Sequence, residues 1–278
     1  MNGYFFGKYF KCVSEDASIA FIPALHRRGG RTDASLQIIT PDGALNVPFP
    51  EMKKEKDGSL SLGACRFSDR GITLSHTDGE TVLGGEVKFS GRTPLGRDIM
   101  GPFRFLPFMQ CRHSVYSMHH RVDGELFVCG KSYRFNGGHG YTEGDRGVSF
   151  PKKYVWSQCF APDVSLMLTA ATVPIGPAEI CGTIASVMCG KREYRLATYS
   201  GARAEFPARD EIIIRQGGYT LRAKLLGGTS HTLSAPQFGK MSRMIREGIA
   251  VSAEYSFCCE GRTICAFSSD RASFEYEM

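Results

Sequence analysis

Apolar and polar positions alternate along this chain with a period near two from one end almost to the other, the signature of half-buried β-strands. Segments 17–25, 35–40, 71–75, 82–89, 115–119 and 126–133 are short and rich in β-branched and aromatic residues. Pro41-Asp42-Gly43, Asp57-Gly58, Asp78-Gly79 and Asp123-Gly124 punctuate them as turns. The second half repeats the habit at 164–173, 180–188, 211–214, 219–226 and 264–267. Over 241–247 the pattern fits one helical turn as well as a strand. Many short strands at regular spacing predict an all-β fold of barrels or sandwiches, and no βαβ units.

The halves also resemble each other. Lys8-Tyr9-Phe10-Lys11-Cys12 and Lys153-Tyr154-Val155-Trp156-Ser157-Gln158-Cys159 are similar strands whose closing cysteines lie at an offset of 147 (159 − 12). The same offset relates Ser18 to Ser165, Ala24 to Ala171, Gly43 to Gly190, and the Gly71-x-Thr73-Leu74 run to Gly218-x-Thr220-Leu221. Each half is then expected to close with a hairpin, 113–135 turning at Asp123-Gly124 and 251–276 turning at Glu260-Gly261. Shared order and spacing point to an internal duplication, with lipocalin-like β-barrel or sandwich domains at 1–140 and 141–278. Ligand clefts favour such junctions.

Composition changes this picture little. With 42% hydrophobic residues and 32 glycines in 278 residues, the chain is globular and turn-rich, with enough length for two cores. The net charge of +6 is modest. Its densest basic cluster, His26-Arg27-Arg28 with Arg31, reads first as a solvated turn and second as a surface for peripheral contact with an anionic membrane; nucleic acid is not an expected partner. No apolar run approaches the roughly 20 residues of a membrane span. The first residues lack the basic and apolar regions of a secretory signal, which points to the cytoplasm. Ten cysteines without a C-x-x-C pair fit free thiols in a reducing compartment. Metal ligation is not expected: short Cys/His spacings are missing, and His113 and His119 on one strand would lie about 20 Å apart at ~3.3 Å per residue.

The densest chemistry lies in residues 136–159, N-G-G-H-G-Y-T-E-G-D-R-G-V-S-F-P-K-K-Y-V-W-S-Q-C. It reads as a glycine-rich loop carrying Tyr141, Glu143, Asp145 and Arg146, followed by a strand with the only tryptophan, Trp156. Gly137-Gly138-His139-Gly140 is not a phosphate loop, since no helix and no Lys-Ser/Thr follow. There is no G-x-S-x-G elbow either. Glu143 and Asp145 are the candidate proton donors, because two nearby carboxyls raise the pKa of one; they read equally as solvated loop acids. Tyr154, Trp156 and Gln158 share one strand face, two aromatic walls and an amide that could hold a phenolic oxygen, or else an ordinary core stripe. Tyr141 could orient a substrate or simply pack. His113 and His119 share a face and read as hydrogen-bonded core histidines or as substrate-side proton shuttles.

The run Tyr141-x-Glu143-x-x-x-Gly147-x-x-Phe150-Pro151-x-x-Tyr154-x-Trp156-x-Gln158-Cys159 resembles the central signature of the tocopherol cyclase family. Gly7-Lys8-Tyr9-Phe10-Lys11 is similar to that family's N-terminal motif, with Lys8 where plant-type members carry tryptophan. Asp145 and Arg146 likewise stand where those enzymes have Asn and Trp. The resemblance covers most of the chain and implies a pair of lipocalin-like β domains. It further implies ring closure on a prenylated quinol, an isomerisation without redox cofactor or metal. Two function classes follow. One is a cofactor-independent cyclase, isomerase or hydratase that protonates an alkene of a prenylated or other apolar isoprenoid substrate. The other is a non-catalytic, lipocalin-like carrier of a hydrophobic small molecule. Fold alone does not choose between them.

Overall fold

The computed structural model describes residues 3–107, 109–175 and 178–278. The first half forms β1 (Tyr4–Val13), β2 (Ser18–Arg28), β3 (Arg31–Thr40), β4 (Gly43–Phe49), β5 (Lys53–Lys54), β6 (Leu60–Leu62), β7 (Cys65–Ser68), β8 (Gly71–Asp78), β9 (Thr81–Ser90), β10 (Cys111–Val128) and β11 (Lys131–Gly147). The second half forms β12 (Tyr154–Ala161), β13 (Val164–Ile175), β14 (Ala178–Cys189), β15 (Arg192–Ala197), β16 (Arg203–Ala208), β17 (Glu211–Gln216), β18 (Tyr219–Gly227), β19 (His231–Gln237), β20 (Lys240–Cys259) and β21 (Arg262–Glu277). Two short 3-10 turns, Gly101–Phe105 and Thr198–Ser200, are the only helical elements among the described residues. None is long and apolar enough to cross a membrane.

The strands make two sheets. One runs β4-β3-β2-β1-β11-β10-β9-β8-β7-β6-β5, the other β15-β14-β13-β12-β21-β20-β18-β17-β16, with β19 pairing β20 off this path. Nine consecutive positions correspond, from β4 to β7 in the first and from β15 to β16 in the second. The duplication read from the offset of 147 is therefore a duplication of topology. In both sheets a four-strand meander is closed by the last strand of the half pairing antiparallel with the first, β11 on β1 and β21 on β12.

Each sheet rolls round its own core. Phe21 of β2 and Phe67 of β7 are six places apart in the strand order, yet their ring centroids lie 6.0 Å apart, and Phe10 of β1 reaches Phe67 at 5.6 Å. In the second sheet Tyr194 of β15 packs edge-on against Phe257 of β20 at 5.2 Å. Phe10, Cys12, Ile19, Phe21, Phe89 and Val122 belong to the first apolar cluster; Val155, Cys159, Leu166, Leu168, Ala185 and Phe257 belong to the second. Packing divides the chain into two compact units, Met1–Pro94 with His113–Ser149 and Ser234–Arg243, and Leu95–Arg112 with Phe150–Leu233 and Met244–Met278.

Two local expectations need correction. The glycine-rich run 137–147 is not a loop: it continues β11 and pairs with β1 from His139 to Gly147. Asp123-Gly124 is not a turn but the middle of β10, and the hairpin turns at Cys129-Gly130, both at positive φ. Gly124 serves close strand approach instead, since a Cβ there would lie 2.3 Å from the Glu86 carbonyl oxygen. Asp123 spends its carboxylate on the Gly137 N–H and on Arg121. Residues 241–247, left open between helix and strand, lie in β20. The ten cysteines lie outside any disulfide, and Cys129 and Cys181 are exposed.

Candidate active site

The antiparallel register of β1 on β11 sets Lys11 opposite Tyr141, Tyr9 opposite Glu143 and Gly7 opposite Asp145. Strand alternation puts these six residues on one face, the face turned away from Phe10 and Cys12 in the apolar core. That face is itself buried: Lys11 and Tyr141 are fully covered, and Tyr9 and Glu143 nearly so. Two glycines keep β11 flat enough to hold it. A Cβ at Gly144 would sit 2.6 Å from the Gly7 carbonyl oxygen, and one at Gly140 would sit 2.2 Å from His120 Nε2. The glycine content that suggested a loop is thus a demand for close packing.

β10, the next strand in the sheet, brings His113 onto the acids. Its Nδ1 lies 3.1 Å from Asp145 Oδ1, as a hydrogen bond. Its Nε2 lies 3.3 Å from Glu143 Oε2, near enough for charge attraction but not aligned as a hydrogen bond. Tyr141 donates its hydroxyl hydrogen to the same Glu143 Oε2 at 2.6 Å. The result is a chain, Asp145–His113–Glu143–Tyr141, buried at its Glu143–Tyr141 end and partly exposed at Asp145. Burial opposes charge on the imidazole, but the Glu143 and Asp145 carboxylates outweigh it and hold His113 well above its ordinary 6.5, so it carries a proton at neutral pH. Burial, then the charge and hydrogen bond of Glu143, push the Tyr141 phenol well above 10.

This set is also the one group that could enclose a divalent cation among the described residues, its ligand atoms lying within 4.8 Å of one another.

Of the residues singled out from sequence, Tyr141, Glu143, Asp145 and His113 come together. His119 takes a separate place, its Nε2 2.8 Å from His139 Nδ1. Tyr154, Trp156 and Gln158 lie on β12 in the second unit, on the face opposite Val155 and Cys159, and all three are buried. Tyr154 hydrogen-bonds the Glu275 carboxylate through its hydroxyl. The Gln158 amide has neither its nitrogen nor its oxygen paired among the described residues.

Sequence reasoning passed over Lys11, Glu247 and Glu275. β21 pairs with β12 so that Gln158 faces Ser273, Trp156 faces Glu275 and Tyr154 faces Glu277. Those are the places that Tyr141, Glu143 and Asp145 take against β1. Glu247 of β20 is the cross-strand neighbour of Glu275 and almost wholly buried. The readable signal was the alternation Ser273-Phe-Glu275-Tyr-Glu277, a second copy of an acid pair two residues apart.

No family model and no curated protein matches the chain. Among solved structures it is similar to kievitone hydratase from Nectria haematococca, with a TM-score of 0.56 at 9% identity over 99% of this chain and 89% of that one. It is also similar to CghA, with a TM-score of 0.63 at 10% identity for the complex with Sch210972 and 0.60 at 11% for CghA alone, each over 99% of this chain and 88% of that one. The likeness is one of fold and runs the length of the chain.

Proposed function

We propose that this protein is a cofactor-independent acid catalyst of the tocopherol cyclase type. In this reading it protonates a trisubstituted alkene of an apolar, isoprenoid-like substrate and lets an oxygen nucleophile capture the cation. The observation that carries the reading is the Asp145–His113–Glu143–Tyr141 chain, in which a proton-bearing imidazole is held between two carboxylates. Glu143 is the group that hands the proton to the substrate carbon, Tyr141 fixes its orientation, and His113 restores the proton with Asp145 holding the imidazole in place. When a phenolic hydroxyl or a water closes on the cation, it releases one proton, which the same chain takes back. The proton count balances over each turnover, and no redox step is required.

Support also comes from the resemblance of the 141–159 run to the tocopherol cyclases and from a fold shared with a protein named for hydration. For the second unit we assign Tyr154, Trp156 and Gln158 to ligand contact on separate grounds: a buried amide with both ends unpaired is costly unless something meets it. The test is incubation of the purified protein with a prenylated quinol and analysis of products by mass spectrometry. An isomer of the substrate, or a product heavier by one water, is expected. Binding without either product favours the carrier.

A further inference from the structure

Between β9 and β10 the chain leaves its sheet, and the stretch Leu95–Arg112 packs with the second unit. Its base is clamped. The Arg195 guanidinium donates to the carbonyls of Arg97 and Asp98, both at 2.9 Å, and the Tyr199 hydroxyl donates to the Ile99 carbonyl at 3.1 Å. Ile99 and Met100 are buried, and Gly101, at φ +52°, lies against the Tyr199 ring so closely that a Cβ would be 2.6 Å from it. Phe103 then packs edge-on against Tyr199 at 5.6 Å.

Beyond this anchor the tip turns outward. Phe105 is 71% exposed, the most exposed large apolar side chain among the described residues. The Arg104 guanidinium lies 4.5 Å from its ring centroid, and Pro102 and Pro107 flank it, both exposed. Arg112 donates to the Leu106 carbonyl at 3.3 Å, bringing a further positive charge to the tip. The stretch holds Arg97, Arg104 and Arg112 against one acid, Asp98, whose carboxylate is engaged by the Met100 N–H.

We propose that this tip docks on an anionic lipid surface, with Phe105 entering the headgroup region and Arg104 and Arg112 meeting lipid phosphates. Charge complementarity selects this occupant. Among the described residues the apolar part is essentially one exposed ring, far short of the roughly 800 Å² that each partner contributes to a stable protein interface. An aromatic tip with two arginines beside it, carried on an anchored base, needs only to reach the interface. The two prolines carry no N–H, so the tip takes fewer unmet backbone donors out of water. The inference rests on this loop and not on the catalytic reading.

The test is co-sedimentation of the full chain with phosphatidylcholine vesicles, with and without phosphatidylglycerol, at low and high salt. Binding to the phosphatidylglycerol vesicles that weakens with salt is expected. Phe105→Ala and Arg104→Glu should each lower it by about fivefold or more without changing Tm, since both side chains are exposed. Phe238→Ala, at another exposed phenylalanine, and Arg28→Glu, in the β2–β3 turn, should leave it unchanged. Three results overturn the proposal. One is no binding to anionic vesicles, another is binding indifferent to Phe105 and Arg104, and the third is loss on Arg28→Glu alone. If Phe105→Ala instead dissociates a dimer seen by light scattering, with vesicle binding intact, the tip contacts a second copy and the proposal falls.

Discussion

The two units place acids at the same three-strand crossing and surround them differently. Against β1, Tyr9 and Gly7 face Glu143 and Asp145; against β12, Trp156 and Tyr154 face Glu275 and Glu277. Lys11 and Gln158 occupy the matching next position, both fully buried. In the first unit the acids hold a protonated imidazole between them, and a tyrosine two residues back on their own strand bonds Glu143. In the second unit Ser273 replaces that tyrosine, and the hydroxyl on Glu275 comes from Tyr154 across the sheet. Duplication supplied the frame twice. What distinguishes the first copy is His113, set between Glu143 and Asp145; in the proposed mechanism it is the store of the movable proton.

The comparison breaks most visibly at the glutamates. Glu143→Gln should lower turnover of a prenylated quinol by about 10²-fold or more while leaving ligand binding nearly intact, the scale expected for loss of a general acid. Glu275→Gln should act the other way, lowering Tm with turnover changed by less than about threefold, since Tyr154 remains able to hydrogen-bond the amide. Equal losses of turnover would mean that both copies take part in the chemistry.

Backbone approach gives the next largest effect. Gly144→Ala should destabilise the protein by about 1–3 kcal/mol in urea unfolding, because the added carbon meets the Gly7 carbonyl, a backbone atom that cannot swing away. If β11 were a loose loop, the substitution would be neutral or stabilising.

A pH profile sharpens the role of His113. Its folded pKa lies above the unfolded 6.5, so its stabilising charge is fully present below about pH 6.5 and is lost as pH rises through the folded value. Activity should fall on the alkaline side. Asp145→Asn removes one of the two negative charges that raise the imidazole, so it should move that limb, and the matching fall in Tm, to lower pH. A limb that stays in place would detach His113 from the proton supply.

The smallest effect separates Lys11 from Gln158. Gln158→Met removes an amide that is buried with both ends unpaired, so Tm should hold or rise slightly, while quenching of Trp156 fluorescence by a prenylated quinol should need several-fold more ligand. A lower Tm with unchanged quenching would make Gln158 structural.

The strands were legible because a sheet with one apolar face writes period-two alternation into its sequence, and the 147 offset relates residues that hold matching register positions, Tyr9 on β1 and Trp156 on β12. The glycines of β11 misled because Gly140 and Gly144 serve steric contact rather than turning, and composition does not tell these uses apart. Asp123-Gly124 failed for the same reason, with the true hairpin marked only by Cys129-Gly130. Glu275 stayed hidden because the second acid pair lies 132 residues after the first (275 − 143), so a search at 147 cannot align them. His113 could be placed on a strand but not beside Glu143, since that depends on which strands become neighbours when the sheet closes.

The central claim is that the Glu143 chain delivers a proton to carbon, and the most direct measurement is turnover of a prenylated quinol in deuterium oxide, read by mass spectrometry. The account predicts an isomeric product carrying one solvent deuterium on the former alkene carbon, formed by the wild-type protein and nearly absent with Glu143→Gln. Product without carbon-bound deuterium, or the same labelled product at full rate from Glu143→Gln, would contradict it.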